Sequence, residues 1–297
     1  MIRQVLEWLL PSTAAHSTDQ PRTVIDCTLG RGGHARLIAD ALSSQDTLLC
    51  IDRDPRNLEY ARKRFSDAKA NVRFFEANFS RLSDVIEAAG VTTVDGIFAD
   101  LGISTNQLFE AEYGLSFQHD GPLDMRLTPD DELSAYTIIN RWDEETIANT
   151  LYELADERFS RRIARKIVEV RQLSPITSSG QLADLVRSCV PRASRSSTES
   201  IDPATRTFLA LRMKVNREAE NLEALLKQAP THLSPHGRLV VISFHSTEDR
   251  IVKNRFRDME ATGVLNVLTK KPLVPDEAEI EQNPRARSSK MRVAEKV

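Results

Sequence analysis

The 297-residue chain has few cysteines, no excess of positive charge and no long apolar run. Each shortage removes a class of function. The three cysteines, Cys27, Cys50 and Cys189, are odd in number and widely spaced. They suggest neither a disulfide framework nor a zinc motif, and a reducing, cytoplasmic setting is expected, with no metal. No apolar stretch approaches the ~20 residues of a spanning helix. Met1 to Pro11, interrupted by Glu7, predicts a short amphipathic helix rather than a secretory signal. Lys and Arg total 40 against 43 Asp and Glu, a net charge of −3, so any nucleic-acid surface must be local. Internal repeats and low-complexity tracts are also missing. What remains, 40% apolar and 28% charged, is an ordinary globular composition with material for one large domain or two modest ones.

The first half alternates strand and helix patterns. Thr23 to Thr28 reads as a buried strand, Leu29 to His34 as a glycine-rich loop opening a helix, Thr47 to Asp52 as a second strand, Val72 to Ala77 as a third and Val94 to Asp100 as a fourth. Pro55 suits an early helical position. Such alternation predicts parallel βαβ units in an α/β, doubly wound, Rossmann-like sheet. The next clear strand, Gly237 to Ser243, lies roughly 140 residues beyond Asp100, whereas one crossover needs only a dozen or more. An inserted second domain, mostly helical, is therefore expected over 112–202, between a first domain of 1–111 and its continuation at 203–297. Glu199 to Pro203 reads as the return, Ala204 to Lys227 as one long helix, and Val264 to Thr269 and Ser289 to Val293 as late strands.

Gly30, Gly32 and Gly33, between first strand and helix, let backbone N–H groups approach a ligand closely. About twenty residues on, Asp52 ends the second strand, where a carboxylate can accept the ribose hydroxyls of an adenosine; Asp54 beside it reads as a solvated acid. Gly30 to Ala35 also satisfies G-x-G-x-x-A, so an NAD-dependent dehydrogenase competes with a methyltransferase using S-adenosylmethionine. The two late strands favour the methyltransferase form. Phe79, just past the third strand, is a candidate adenine neighbour or a core residue. Asp100, at the end of the fourth strand, should border the reacting centre. None of the cysteines stands directly after that strand, which disfavours methylation of cytosine carbon by a thiol adduct. Tyr113 to Arg126, dense in turn formers and aromatics, suits a binding loop. His245 either contacts substrate or caps the following helix. Basic residues cluster at Arg158 to Arg171, Arg206 to Arg217, Arg250 to Arg257 and Arg285 to Arg292, and such patches can engage phosphates.

Leu29 to His34 (L-G-R-G-G-H), Ile51 to Pro55 (I-D-R-D-P), Asp100 to Leu108, Asp120 to Arg126 (D-G-P-L-D-M-R), Pro203 to Phe208 (P-A-T-R-T-F), Val241 to Lys253 and Asn283 to Lys290 together resemble the bacterial family that methylates N4 of a cytosine in small-subunit ribosomal RNA. The resemblance runs nearly end to end. It implies S-adenosylmethionine as cofactor, cytosine 1402 of 16S rRNA as target, the small ribosomal subunit as partner and no membrane partner; a homodimer stays open. It further implies that Gly32, Gly33 and His34 cradle the cofactor, with Asp52 at the ribose, Phe79 near adenine, and Asp100 and Gln107 near the methyl. Gln107 is chosen on the resemblance alone. No catalytic side chain is assigned. Gly102 to Asn106 departs from the usual G-V-S-S-P, and Thr105 and Asn106 keep a non-catalytic ribosome-assembly factor as the alternative.

Overall fold

The computed structural model describes residues 1–297 except 12–19, 105, 106, 109, 129, 130 and 192–201, the last of which include most of the expected return segment. The chain divides into two compact units, Met1–Gly102 with Ala219–Val297, and Ile103–Glu218. The expected insertion, 112–202, falls inside the second unit, which also takes in 103–111 and 203–218.

The first unit holds a seven-stranded sheet ordered β3-β2-β1-β4-β5-β7-β6. Its strands are β1 (Thr23–Asp26), β2 (Thr47–Asp52), β3 (Asn71–Glu76), β4 (Val94–Asp100), β5 (Leu233–Ser243), β6 (Leu265–Val267) and β7 (Lys290–Lys296). The first five pair in parallel, and β7 runs antiparallel between β5 and β6. Val24 and Ile25 of β1 and Leu48, Leu49, Cys50 and Ile51 of β2 are fully buried, because helices cover both faces and the strands need no polar alternation. The helices of this unit are α1 (Ile2–Leu9), α2 (Gly33–Ala41), α3 (Pro55–Arg64) and α4 (Leu82–Ala89) before the second unit. Val5 and Leu9 give α1 its apolar face, joining Val24, Phe98 and Val240 in one cluster. Burying each such side chain contributes about 1.5–3 kcal/mol. Strand order reverses direction between β1 and β4, and the crevice at such a switch point is where open α/β sheets bind ligands.

The second unit packs α5 (Ala135–Arg141), α6 (Glu144–Ala155), α7 (Ser160–Arg171), α8 (Ser179–Cys189) and α9 (Ala204–Val215) around Ile138, Ile147, Leu151, Ile163, Ile167 and Leu182. The expected helix from Ala204 to Lys227 is two helices, α9 and α10 (Glu218–His232). The break is at Arg217, whose φ of 51° lies in the left-handed region. Buried Asn216 explains it. Its Oδ1 accepts the Leu127 N–H at 3.0 Å and its Nδ2 donates to the Met125 carbonyl at 2.9 Å, so helix continuation would pull it from a loop it holds in place. The chain returns to the sheet through α10 and β5 and ends with α11 (Ser246–Ala261), β6, α12 (Glu277–Gln282) and β7. Among the described residues no helix is long and apolar enough to cross a membrane.

Candidate functional site

The glycine loop is stitched to both neighbouring strands before any ligand is considered. Cys27 N–H donates to the Phe98 carbonyl and Leu29 N–H to that of Ile51, which fixes the loop between β4 and β2. Gly32 is buried with φ +77°, and a Cβ there would lie 2.7 Å from the Phe65 ring. Only glycine makes this turn without strain. Gly33 differs: a Cβ on it would meet nothing within 4 Å, so the space above it is open. It begins α2, whose N-terminus has no side-chain cap, and uncapped N–H groups at a helix start favour an anionic group.

Asp52 is half-buried at the end of β2. Its Oδ2 accepts Gly30 N–H at 2.7 Å and Asn57 Nδ2 at 3.3 Å, and its Oδ1 accepts Asp54 N–H at 2.8 Å. Burial raises its pKa despite these donors. A carboxylate has about four acceptor positions, two on each oxygen, so one is left on Oδ1, beside the bond from Asp54 N–H. Asp54, expected to be solvated, is instead 2% exposed and caps α3 through Arg56 N–H. Its place ahead of Pro55 at the helix start accounts for the difference. Phe79 opens a single 3-10 turn after β3, half-buried against the cluster that includes Leu82 and Ile86.

Asp100 ends β4. Its Oδ2 lies 3.3 Å from His34 Nδ1, and its Oδ1 is buried without a hydrogen-bond partner among the described residues. His34 also sits edge-on to Phe98, with ring centroids 5.0 Å apart. Burial lowers the imidazole pKa, but the bond to Asp100 and the charges of Asp100 and Asp26 outweigh it, and the net direction is upward. Gln107 belongs to the second unit, where it is buried and its Oε1 accepts Ser104 N–H at 3.1 Å. Thr105 and Asn106 lie outside the described residues.

Sequence reasoning does not single out Asp26. It is fully buried at the end of β1. Its Oδ1 accepts Thr28 N–H at 2.9 Å, while its Oδ2 has no partner among the described residues. The Thr28 hydroxyl stands 3.4 Å from the same Oδ1 and accepts the Asp100 N–H at 2.6 Å, linking the ends of β1 and β4. Burial pushes the Asp26 carboxyl up from 3.8 to about 7, with Asp100 and Asp52 adding to the rise. An acid in an otherwise apolar strand, directly ahead of a glycine loop, was the available signal.

Other candidates resolve into structural roles. His245 is the N-cap of α11, its Nδ1 accepting Glu248 N–H. Within Tyr113 to Arg126, Tyr113, Leu115, Leu123 and Met125 are buried in the helical core, and Asp120 accepts Gly180 N–H at the start of α8. The loop is core lining with an exposed tip at 118–120. Several clustered cations are internal braces. Arg171 donates to the carbonyls of Ile139 and Trp142, Arg212 pairs with Glu218, and buried Arg292 pairs with Asp249.

Comparison with known proteins agrees over the whole length. Residues 2–297 match the sequence pattern of the MraW methylase family. Proteins named ribosomal RNA small subunit methyltransferase H are similar to this chain. That of Acidobacterium capsulatum is 46% identical over 281 residues, covering 92% of each chain. That of Synechococcus elongatus is 44% identical over 295 residues, covering 99% of this chain and 93% of the relative. Among solved structures, an rRNA methylase from Streptococcus thermophilus aligns at a TM-score of 0.42 and 10% identity, over 94% of this chain and 89% of that one. Fibrillarin from Aeropyrum pernix, in complex with S-adenosyl-L-methionine, aligns at 0.41 and 10%, over 98% and 74%.

Proposed function

Because the chain belongs to the MraW methylase family, we propose that it is an S-adenosylmethionine-dependent enzyme that methylates the N4 amino group of a cytidine, position 1402, in the 16S rRNA of the small ribosomal subunit. The observation that carries the reading is the end of the β1–β4 pair. A glycine loop with open space above Gly33 stands beside two carboxylate oxygens, Asp26 Oδ2 and Asp100 Oδ1, that are buried without partners. Buried polar atoms are normally satisfied: a cofactor carrying an ammonium and a carboxylate suits Asp26 Oδ2 and the uncapped start of α2, and Asp100 Oδ1 is left for an amino group of the acceptor. The relatives' names support the RNA substrate. The non-catalytic reading rests on Thr105 and Asn106, and no observation favours it.

When bound, S-adenosylmethionine supplies an electrophilic methyl on sulfur. The chain holds it at named atoms. Gly32 and Gly33 let the backbone approach, Asp52 offers its remaining acceptor position to a ribose hydroxyl, and Phe79 offers a ring for adenine. His34, its proton held by Asp100 Oδ2, keeps that oxygen occupied and leaves Oδ1 as an acceptor. Asp100 Oδ1 takes a hydrogen bond from the cytosine amino group and orients its lone pair, with the base extruded from its stack. Gln107 is a further cofactor residue on the family resemblance alone. The work takes place in the cytoplasm, and sedimentation of the purified protein checks the homodimer.

The test is incubation with labelled S-adenosylmethionine and unmethylated small subunits, followed by RNA digestion and mass identification. N4-methylcytidine at one position is expected. Label in another nucleoside, or none despite binding of cofactor and subunits, overturns the reading.

A further inference from the structure

Of the basic clusters, the one on α7 borders a groove. Residues 160–171 carry Arg161, Arg162, Arg165, Lys166 and Arg171 against the single acid Glu169. Arg171 is spent on backbone carbonyls. Arg161 reaches Asn149 and Arg165 faces Glu144 at 3.7 Å, both on α6. Arg162 and Lys166 stand one turn apart on the side towards α8, where Cys189 Sγ lies 4.0 Å from the Arg162 carbonyl. Arg158 leads in from the turn before. All three are exposed; Arg158 and Arg162 have no ion-pair partner among the described residues, and Lys166 Nζ has only an exposed one, Glu169 at 3.4 Å.

Between α7 and α8 lies a groove of about 410 Å³, lined by Lys166, Val170, Ile176, Gln181, Leu185 and Ser188 among others. That is within the ~300–1,000 Å³ of small-ligand sites. Its floor is apolar and its rim polar. Gln181 Oε1 is taken by the N–H groups of Thr177 and Ser178, leaving its amide NH2 as a rim donor. Leu173, next in sequence to the lining residue Ser174, is 90% exposed. Four residues of helix rise about 6 Å, which sets Arg162 and Lys166 on the scale of one nucleotide step. A row of cations tracking the backbone is one of the ways single-stranded nucleic acid is held; here the neighbouring surface is an aliphatic groove rather than an aromatic platform.

We infer that this edge of the helical unit is an RNA-docking face: Arg158, Arg162 and Lys166 bind successive phosphates of a single-stranded segment, and the α7–α8 groove takes one of its bases. The inference rests on the rRNA reading above and adds where the RNA is gripped. Acidic protein would meet the same charges, but the groove beside them, of about 410 Å³, has room for a base.

The triple variant Arg158→Gln/Arg162→Gln/Lys166→Gln tests the phosphate contacts and Ser188→Phe the groove. With small subunits, the triple variant should raise KM at least tenfold while its affinity for S-adenosylmethionine stays at the wild-type value. With a protein-free, unstructured oligoribonucleotide, the slope of log K against log salt should fall by about 2, from roughly 0.7 per contact on single strands. S188F should weaken binding of both RNAs at least threefold with the slope unchanged. An unaltered KM and slope overturn the phosphate contacts, and wild-type binding by S188F overturns the groove. Weakened subunit binding with unchanged oligonucleotide binding would assign the face to a ribosomal protein and overturn the RNA inference. If the wild-type enzyme methylates nothing in the subunit, the substrate reading fails by itself, and the oligonucleotide arm still decides the docking face.

Discussion

Replacing Asp26 by asparagine should make the protein more stable, by an amount that depends on pH in a defined way. The side chain is fully buried, one oxygen accepts from Thr28 and the other from nothing, and burial raises its pKa from 3.8 to about 7. A carboxyl raised on folding contributes its full stability below the unfolded value. That contribution declines as the unfolded chain ionises above about 4 and the folded one does not, and the loss is complete above the folded value. Each pH unit in this window removes about 1.4 kcal/mol, so about three units give a ceiling of about 4 kcal/mol, less whatever relaxation the site allows. The asparagine side chain would keep the acceptor for Thr28 and cannot ionise. Urea unfolding of both proteins at several pH values from about 4.5 to about 8.5 should give a stability difference that widens up to about pH 7 and is flat beyond. Saturating S-adenosylmethionine should narrow it, because a cation beside the carboxylate favours the charged form. A difference independent of pH would mean that Asp26 is ionised and paired in the folded protein, and the reasoning about its free oxygen would fall.

Other substitutions separate fold from site. Gly32→Ala should cost at least about 1–2 kcal/mol, from its positive φ and the Phe65 ring, whereas Gly33→Ala should melt normally and lose cofactor affinity; calorimetry and titration read the two. Asn216→Ala leaves the Leu127 N–H and the Met125 carbonyl unpaired, at about 1–3 kcal/mol each, and proteolysis should begin in the helical unit. Asp52→Ala should chiefly weaken cofactor binding, measured by titration. Asp100→Ala should cut methyl transfer at least tenfold with cofactor affinity less affected, and equal rates would remove it from the reacting centre.

The sheet was legible because buried parallel strands announce themselves as short apolar runs, and Thr23 to Asp26 and Val94 to Asp100 stand where the pattern puts them. The excess of residues between β4 and β5 exposed the insertion. Less legible was anything decided by a side chain reaching across the fold. The split between α9 and α10 depends on Asn216 binding a loop some 90 positions earlier, which no local pattern carries. Asp54 looked solvated because charge is visible in a sequence and capping geometry is not. Positive charge misled in the same way: Arg171, Arg212 and Arg292 read as surface and are braces. Gln107 is assigned on the family resemblance alone, since an amide after a strand has no period or motif of its own.

The position of β7 has a consequence for synthesis. β6 is made first, yet its partner in the sheet is β7, which inserts between it and β5. Until residues 290–296 have left the ribosome, β5 presents an open edge and β6 has nothing to pair with. The core of the helical unit, by contrast, draws on residues no later than Val215. On a nascent chain the helical unit can therefore close while the sheet that encloses it in sequence still waits for its last strand, and the exposed edge of β5 is where a chaperone or a second nascent chain would have its opportunity.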